Sequence, residues 1–266
     1  MEITGNTRIS AIIADPIHHV KTPQGINARL LANHVDGVLV PVHVSADELP
    51  AVVNGFRAMK NLQGFIVTVP HKSAILALCD EVEEDAQRIG AVNVVRRDEN
   101  GRLRGYMLDG EGFVAGLKGA NIPLANQTAY LAGAGGAANA IAFALAKNGV
   151  KQLTIANRTA EKAEDLIDRV SKAYPKCQYQ LGSRDPSGHN LVVNATSLGL
   201  RTEDALPLDT EPLTPDQTVA EIIMQPAETA LLAAAKSKGC QVHPGLPMLQ
   251  NQLALMTKIL AFIEEE

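Results

Sequence analysis

Two charged side chains stand directly after predicted strands in the first half of the chain. Lys72 follows the apolar run 64–69, and Asp109 follows the run 102–108. A lysine ammonium and a carboxylate at strand ends could serve a carbonyl/alcohol interconversion, because a proton must move at oxygen while a hydride moves at carbon. Taken alone, a charged residue at a strand end is more often a solvated cap. The pair therefore becomes a catalytic candidate only beside a hydride carrier.

A glycine-rich turn in the second half could hold such a carrier. The segment 131–138 reads Leu-Ala-Gly-Ala-Gly-Gly-Ala-Ala, between a predicted strand and a predicted helix. Gly133 permits the tight turn, Gly135 lets the backbone approach a pyrophosphate, and Ala138 allows close helix packing. The N–H groups at the start of the helix attract phosphate. The cofactor-binding candidates in this turn are Gly133, Ala134, Gly135, Gly136 and Ala137.

The next strand end distinguishes two nicotinamide cofactors. A carboxylate there would bond a ribose 2′-hydroxyl and repel a 2′-phosphate. The chain instead has Asn157, Arg158 and Thr159, with no carboxylate before Glu161. Arg158 can pair with phosphate and stack on adenine, and Thr159 can donate a hydroxyl. The alternative is a surface arginine beside a helix N-cap threonine, but the preceding turn favours NADP as the cofactor.

Short runs rich in β-branched residues alternate with stretches of helical period, which predicts an α/β protein with mostly parallel sheets. The predicted strands cover residues 8–14, 37–42, 64–69, 91–96, 102–108, 128–131, 152–156, 177–180, 191–194 and 218–223. The predicted helices cover residues 23–32, 46–59, 72–78, 85–89, 110–117, 137–147, 161–173 and 246–263.

A change in pattern after Asp109 predicts two domains. Residues 1–109 form an N-terminal α/β domain for substrate binding and catalysis, with the C-terminal segment 246–266 packed back on it. Residues 110–245 form a Rossmann dinucleotide-binding domain, entered through a loop at 119–127 that mixes Gly, Asn and Pro.

Composition narrows the partners. Only 3% of the 266 residues are aromatic, so a surface that stacks nucleic-acid bases is not expected. The net charge of -5 offers no basic face to nucleic acid or membranes. Cys79, Cys177 and Cys240 lack metal-ligand spacing, and the N-terminus lacks an apolar signal segment. We expect a cytoplasmic monomer or homodimer with a small-molecule substrate and no metal.

The order of these motifs resembles the shikimate dehydrogenase family over nearly the whole chain. The matching segments are 15–17, 67–72, 90–93, 109–110, 133–137, 157–159, 194–197 and 245–252. The resemblance implies an NADP-linked oxidoreductase of the shikimate pathway, and so of aromatic amino acid biosynthesis. It would interconvert the C3 alcohol of shikimate and the ketone of 3-dehydroshikimate, with substrate on the N-terminal domain and cofactor on the C-terminal one.

The resemblance also assigns roles position by position. It implies Lys72 as the catalytic lysine, which hydrogen-bonds the substrate oxygen and relays its proton, and Asp109 as the carboxylate that holds the lysine charge and orients the hydroxyl. The implied substrate contacts are Thr22, Thr68, Asn93 and Gln252. The implied cofactor contacts beyond the turn are Thr196, Leu198 and Gly245.

Departures from the family pattern concentrate in the expected substrate cradle. The family usually has two serines flanking one residue where this chain has Val20 and Thr22. The other departures are Ile66 for an amide, Met107 and Leu108 for Asn-Thr, and Met224 for a tyrosine. Nearby candidates to anchor a carboxylate are His18, His19, Lys21 and His71. Quinate, an aminoshikimate-type substrate and a non-catalytic NADP-binding paralogue therefore stay open.

Overall fold

The computed structural model describes residues 2–18 and 20–263, which divide into two compact units. The first unit contains the residues up to Leu108 together with those from Gln252 onward, and the second is the continuous stretch Asp109–Asn251. The expected division keeps Asp109 with the first domain, whereas the compact units divide directly before it.

The first unit is built from short strands and helices in alternation. Its strands are β1 (Arg8–Ala14), β2 (Gly37–His43), β3 (Leu62–Val67), β4 (Glu81–Val82), β5 (Val94–Arg97) and β6 (Leu103–Tyr106). Its helices are α1 (Thr22–Ala32), α2 (Leu49–Ala58), α3 (Glu84–Ile89) and a 3-10 helix, Ala74–Leu78.

These strands form one sheet in the order β2-β1-β3-β5-β6-β4. β1 is parallel to β2 and β3, and β4 is parallel to β6, whereas β5 runs antiparallel to both of its neighbours. A hairpin accounts for the β5–β6 pairing: Asp98 N–H donates to Arg102 O at 3.0 Å, and Gly101 takes a positive φ of 81°. The expected parallel character therefore holds for most pairs of this sheet.

The second unit alternates strand and helix throughout. Its strands are β7 (Thr128–Ala132), β8 (Gln152–Ala156), β9 (Gln178–Leu181), β10 (Leu191–Asn194), β11 (Thr218–Glu221) and β12 (Gln241–His243). Its helices are α4 (Asp109–Gly119), α5 (Gly136–Lys147), α6 (Ala160–Ala173) and α7 (Ala230–Ser237). The last helix, α8 (Leu246–Ile259), begins in this unit and continues into the residues of the first.

The second sheet is entirely parallel, in the order β12-β11-β10-β7-β8-β9. Counted along the unit, this is the strand order of a Rossmann fold, and the order reverses between β7 and β10. The prediction of a C-terminal Rossmann domain is confirmed. Ligands of such sheets bind outside the carboxyl ends of the strands at this reversal, where the loops after β7 and β10 meet.

Several details differ from the expected elements. The short strands β4 and β12 and the helix α7 were not predicted, since two or three residues carry no readable alternation and α7 has only eight. The expected helix at 72–78 is a five-residue 3-10 helix, too short for a stable α-helical nucleus. The final helix ends at Ile259 rather than 263, and Ala261 takes a positive φ of 53°.

Candidate active site

The glycine-rich turn leaves β7 in a conformation that requires glycine. Gly133 has a φ of +117°, and its N–H donates to Ala156 O at 2.7 Å. A Cβ added there would lie 2.9 Å from Ala195 O and 3.3 Å from Thr196 Cγ2. The turn after β7 and the loop after β10 are thus in contact, which brings together two groups of predicted cofactor residues.

The start of α5 faces open space on one side and another helix on the other. A Cβ added to Gly135, the residue that precedes α5, would meet nothing within 4 Å. Ala138 is fully buried, and a Cβ on Gly110 of α4 would lie 2.3 Å from Ala140 O. Small residues therefore let α4 pack tightly on α5. The first N–H groups of α5, which have no partner within the helix, lie next to the open space at Gly135. A helix N-terminus with open space beside it can bind phosphate.

The end of β8 presents three polar residues. Asn157 folds back, with its Nδ2 donating to Thr159 O at 2.8 Å, and Arg158 is exposed. Thr159 occupies the N-cap position of α6, but its hydroxyl makes no capping hydrogen bond. The capping role considered as the alternative is therefore absent, and the Thr159 and Arg158 side chains remain exposed toward solvent.

The loop after β10 is organised by a fully buried asparagine. Asn194 Oδ1 accepts hydrogen bonds from Thr196 N–H at 3.0 Å and from Thr196 Oγ1 at 2.7 Å. Its Nδ2 donates to Leu198 O at 3.0 Å. Thr196 Oγ1 also accepts from Leu198 N–H at 3.0 Å. Asn194 thus shapes the loop that carries the predicted cofactor contacts Thr196 and Leu198.

A carboxylate that the sequence did not single out lies behind this loop. Glu221, the last residue of β11, has no exposed surface, and Asn194 Nδ2 donates to its two oxygens at 3.1 and 3.0 Å. Burial raises the pKa of the Glu221 carboxyl, and the hydrogen bonds it accepts oppose that rise. The sequence feature that could have identified Glu221 is its position as the one carboxylate in the mostly apolar run 218–223.

Gly245 packs closely against the backbone of Ile222 and Ile223, which follow β11. A Cβ there would stand 2.4 Å from Ile223 O and 2.5 Å from Ile222 C, so a side chain would collide with the backbone that follows β11. The structure therefore explains this glycine by close packing of two backbone segments. Met224 is the next residue after Ile223 and is partly exposed.

In the first unit, the predicted substrate residues Thr68 and Asn93 lie at the end of β3 and just before the start of β5, near Lys72. Val67 N–H donates to Asn93 O at 2.8 Å, and Val92 N–H donates to Lys72 O at 2.8 Å. These bonds hold the backbone of Lys72 beside Asn93, and Thr68 directly follows β3. Lys72 and Thr68 are partly exposed. The residues Thr68, Lys72 and Asn93 are thus positioned by one piece of the sheet.

Asn93 is buried and its Oδ1 accepts from Leu108 N–H at 2.9 Å, so this side chain also orders the segment that follows β6. The three other predicted residues, Thr22, Gln252 and Asp109, belong to helices. Thr22 is the first residue of α1, and Gln252 is a buried residue of α8. Asp109, buried at the start of α4, belongs to the second unit.

Several of the departures from the family pattern in the first unit are packing residues. Ile66 and Leu108 belong to one buried apolar cluster of the first unit, and Val20 packs against it. Met107 is also buried. At these positions hydrophobic contact takes the place of hydrogen-bonding capacity.

The candidate carboxylate anchors have different surroundings. His71 is 1% exposed, and its Nε2 is hydrogen-bonded to Val44 O at 2.8 Å, which makes it a structural histidine. His18 and Lys21 are exposed. His19 lies outside the described residues. Among residues 2–18 and 20–263, no cluster of metal-ligating side chains occurs, and no helix is both long and apolar enough to span a membrane.

Comparison with known proteins gives the same answer for both units. The substrate-binding domain model of shikimate dehydrogenase matches residues 12–95, and the shikimate/quinate 5-dehydrogenase model matches residues 117–197. A shikimate dehydrogenase (NADP(+)) from Rubrobacter xylanophilus is 39% identical over 254 residues, covering 94% of this chain and 89% of the relative. The chain belongs to the shikimate dehydrogenase family.

Solved structures of this family have the same fold. Shikimate 5-dehydrogenase from Listeria monocytogenes, in complex with shikimate and NAD, superposes with a TM-score of 0.92 at 33% identity, covering 99% of this chain and 95% of that one. A 5-ketofructose reductase from Gluconobacter sp. strain CHM43 superposes with a TM-score of 0.89 at 33% identity, covering 99% and 96%. Proteins of similar sequence and the same fold are thus named for different substrates.

Proposed function

We propose that this protein is an NADP-dependent oxidoreductase that interconverts the C3 alcohol of shikimate and the ketone of 3-dehydroshikimate. The observation that carries the proposal is the retention of Lys72 and Asp109 in a shikimate dehydrogenase chain with a well-formed dinucleotide turn. A non-catalytic paralogue has no need of that pair.

The residues present fit NADP. The open side of Gly135 and the start of α5 suit the pyrophosphate, with Gly133, Ala134, Gly136 and Ala137 as the rest of the cradle. Exposed Arg158 suits the 2′-phosphate, and Thr159 has a hydroxyl that no cap uses. Asn157, Thr196, Leu198 and Gly245 complete the proposed contacts. When bound, NADP supplies or accepts the hydride at carbon.

The chain's own residues handle the proton. Lys72 Nζ hydrogen-bonds the reacting oxygen, removing the proton from the alcohol in one direction and returning it to the ketone oxygen in the other. Asp109 stabilises the ammonium form of Lys72 and orients the reacting hydroxyl. Both residues are required for the proton transfer in this proposal.

The substrate is held by neutral polar groups in this proposal. Thr68 and Thr22 offer hydroxyls, and Asn93 and Gln252 offer amides, which suit the hydroxyl groups of a cyclohexene ring. Residues 1–109 and 246–266 would form the substrate-binding and catalytic domain, and residues 110–245 the NADP-binding domain. We place the enzyme in the cytoplasm as a monomer or homodimer that binds no nucleic acid.

A second candidate is a polyhydroxylated ketone or alcohol without shikimate's carboxylate contacts. It is favoured by Val20, which packs against the core and cannot hydrogen-bond, and by Met224 in place of the usual tyrosine. The named substrate of the Gluconobacter relative, 5-ketofructose, is a keto sugar. Quinate, an acid that keeps the carboxylate, is the closer alternative.

A steady-state comparison separates these candidates. The purified protein is assayed with shikimate and quinate, each with NADP+ and NAD+, and with 5-ketofructose and NADPH, by the absorbance of the reduced nicotinamide. We expect the highest kcat/KM for shikimate with NADP+. Turnover of the keto sugar alone supports the second candidate, and turnover of no substrate in the panel contradicts the enzymatic proposal.

A further inference from the structure

Glu221 is a buried acid surrounded by hydrogen-bond donors. Its Oε1 accepts from Ile222 N–H at 2.9 Å and Ile223 N–H at 3.2 Å, and its Oε2 accepts from Thr229 Oγ1 at 3.2 Å. Both oxygens accept from Asn194 Nδ2. The backbone N–H groups of Ile222 and Ile223 and the Asn194 amide nitrogen can only donate, and the Thr229 hydroxyl can donate as well, so this set of partners complements the carboxylate.

The carboxylate fixes the orientation of the Asn194 amide. An amide has an oxygen that only accepts and a nitrogen that only donates. Because Glu221 can only accept when ionised, Asn194 must turn its nitrogen toward Glu221 and its oxygen toward Thr196. Thr196 N–H and Oγ1 both donate to that oxygen. A flipped amide would set its NH2 group against the Thr196 N–H.

The same orientation extends to the end of the loop. Thr196 Oγ1 uses its proton on Asn194, which leaves it to accept from Leu198 N–H. Asn194 Nδ2 reaches Leu198 O with its remaining donor capacity. An unbroken set of hydrogen bonds therefore runs from Glu221 through Asn194 and Thr196 to both backbone polar groups of Leu198.

Stability alone does not account for a carboxylate at this position. Taking an ionised group out of water is costly, and well-packed apolar residues in place of buried charged groups are often neutral or stabilising. Buried polar groups can instead select one conformation over its alternatives. The alternative excluded here is the other orientation of the Asn194 amide.

We propose that Glu221 is a positioning residue that holds the loop 194–198 in the form that receives the nicotinamide end of NADP. This inference rests on the proposed function, which places Thr196 and Leu198 beside that end of the cofactor. The adenosine and phosphate end contacts other segments, at 133–137 and 157–159. Loss of the carboxylate is therefore expected to affect one end of the cofactor and to spare the other.

The choice of substitution follows from the donors. In Glu221→Gln the remaining oxygen can still accept from Ile222 and Ile223, but the new NH2 group faces Asn194 Nδ2, which is also a donor. Asn194 Nδ2 then keeps only Oε1 as an acceptor in this side chain and lies beside an opposing donor, so one orientation of the Asn194 amide is less strongly favoured. Glu221→Asp retains two acceptor oxygens and is the conservative variant. Glu228→Gln is the matched control, because Glu228 is an exposed carboxylate beside Thr229.

The test compares two ligands by isothermal titration calorimetry, with thermal unfolding recorded for each variant. NADP+ occupies the whole cofactor site, whereas 2′,5′-ADP lacks the nicotinamide half. In Glu221→Gln we expect about tenfold weaker binding of NADP+ and less than about twofold change for 2′,5′-ADP, as for the loss of one or two buried hydrogen bonds. Turnover at saturating NADP+ and shikimate falls about tenfold or more. Glu221→Asp recovers part of both losses, and Glu228→Gln matches the wild type.

Three results overturn the proposal. Equal weakening of NADP+ and 2′,5′-ADP in Glu221→Gln, or a variant that does not fold while Glu221→Asp behaves identically for both ligands, assigns Glu221 a general structural role. Unchanged NADP+ affinity and turnover in Glu221→Gln also contradict it. Failure of the proposed function is separate, because it shows in the wild-type protein as absence of turnover with shikimate.

Discussion

The two units treat polar side chains differently at their expected sites. In the second unit, polar residues near the cofactor turn bond to one another in a continuous set, from Glu221 to Leu198. In the first unit, the positions at which relatives usually present hydroxyls and amides carry Val20, Ile66 and Leu108, which belong to or pack against an apolar cluster. The comparison teaches that the second unit has polar groups organised around the expected cofactor site, whereas the first unit has hydrophobic contacts at several positions of the expected substrate site. The expected cofactor site of the second unit indicates an oxidoreductase, whereas the identity of the substrate depends on the first unit.

The largest expected effect comes from removing the proton-transfer group of the first unit. Lys72→Ala should lower kcat by about 10²- to 10⁴-fold, the usual contribution of a general acid or base. Asp109→Asn in the second unit should also lower kcat, because the lysine charge and the substrate hydroxyl lose their partner. Steady-state kinetics measures the loss, and circular dichroism and thermal unfolding verify the fold.

Lys60→Ala is the control, since Lys60 is an exposed lysine of the same unit. Retention of more than about a tenth of wild-type kcat in Lys72→Ala would contradict the mechanism, since general acid–base catalysis contributes far more than that.

The next effect concerns the second unit alone. Arg158→Gln should lower the preference for NADP+ over NAD+ by about 10- to 100-fold, which corresponds to about 1.5–3 kcal/mol for hydrogen bonds to a charged group. The kcat/KM with NAD+ should change little, because NAD+ has no 2′-phosphate. Lys162→Gln, an exposed cation on α6, is the matched control. An unchanged preference in Arg158→Gln would place the 2′-phosphate elsewhere.

A smaller effect tests the altered cradle of the first unit. The double variant Val20→Ser, Thr22→Ser restores the pattern usual in the family and should lower the KM for shikimate about three- to thirtyfold, as expected for one new hydrogen bond to a carboxylate. It should leave the KM for NADP+ unchanged. Because Val20 packs on the apolar cluster, we also expect a loss of about 1 kcal/mol in the free energy of unfolding.

Val40→Ser serves as the control for that stability loss, because Val40 lies more exposed on β2. A shikimate KM that does not fall in the double variant would favour a substrate held without a carboxylate contact at this position.

The smallest effect at neutral pH concerns the cysteines of the two units. Burial raises the pKa of the Cys79 thiol to about 11, and it also raises the pKa of Cys177 and of Cys240. Since the thiolate is the reactive form, alkylation by iodoacetamide near pH 8 should be very slow in the folded protein and fast in urea. Mass spectrometry of the labelled peptides reports each unit separately.

The sign of the linked pH effect follows from the raised pKa of Cys79. The folded thiol stays protonated up to about pH 11, whereas the unfolded thiol ionises near its ordinary value of 9.0. Its contribution to stability is therefore complete below about pH 9 and declines as the pH rises toward 11. Rapid labelling of Cys79 in the folded protein would contradict its burial.

Much of the fold could be predicted because periodicity and glycine carry it. The predicted ranges 8–14, 152–156 and 191–194 coincide with β1, β8 and β10, since each is a buried apolar run with clear ends. Gly133 was found because a tight turn between strand and helix demands it. The helix α7 was missed, although Thr229 caps it by accepting from Leu232 N–H at 3.2 Å, because a single threonine before eight residues is a weak signal.

The candidate site shows which features can be predicted from the sequence and which depend on contacts formed in the folded protein. Arg158 and Thr159 follow a strand end and could be found by position, whereas the role of Glu221 depends on Asn194, which lies 27 positions earlier in the chain. Such a pairing exists only once β10 and β11 are adjacent in the sheet. Val20 packs against a cluster that contains residues of α8 and of several strands. This packing likewise exists only in the folded unit and cannot be predicted from the local sequence.

The first unit consists of two separate stretches of the chain, and this has a consequence for the order in which the units can fold during synthesis. Arg8 at the start of β1 donates to Ala261 O at 2.9 Å, and Arg29 of α1 donates to Thr257 Oγ1 at 3.2 Å. A nascent chain thus emerges from the ribosome with its first 108 residues lacking part of their core, while the continuous second unit can fold as soon as residue 251 is out. The unit that comes second in the sequence can therefore be completed first, whereas the first unit is completed only when residues 252–263 are available.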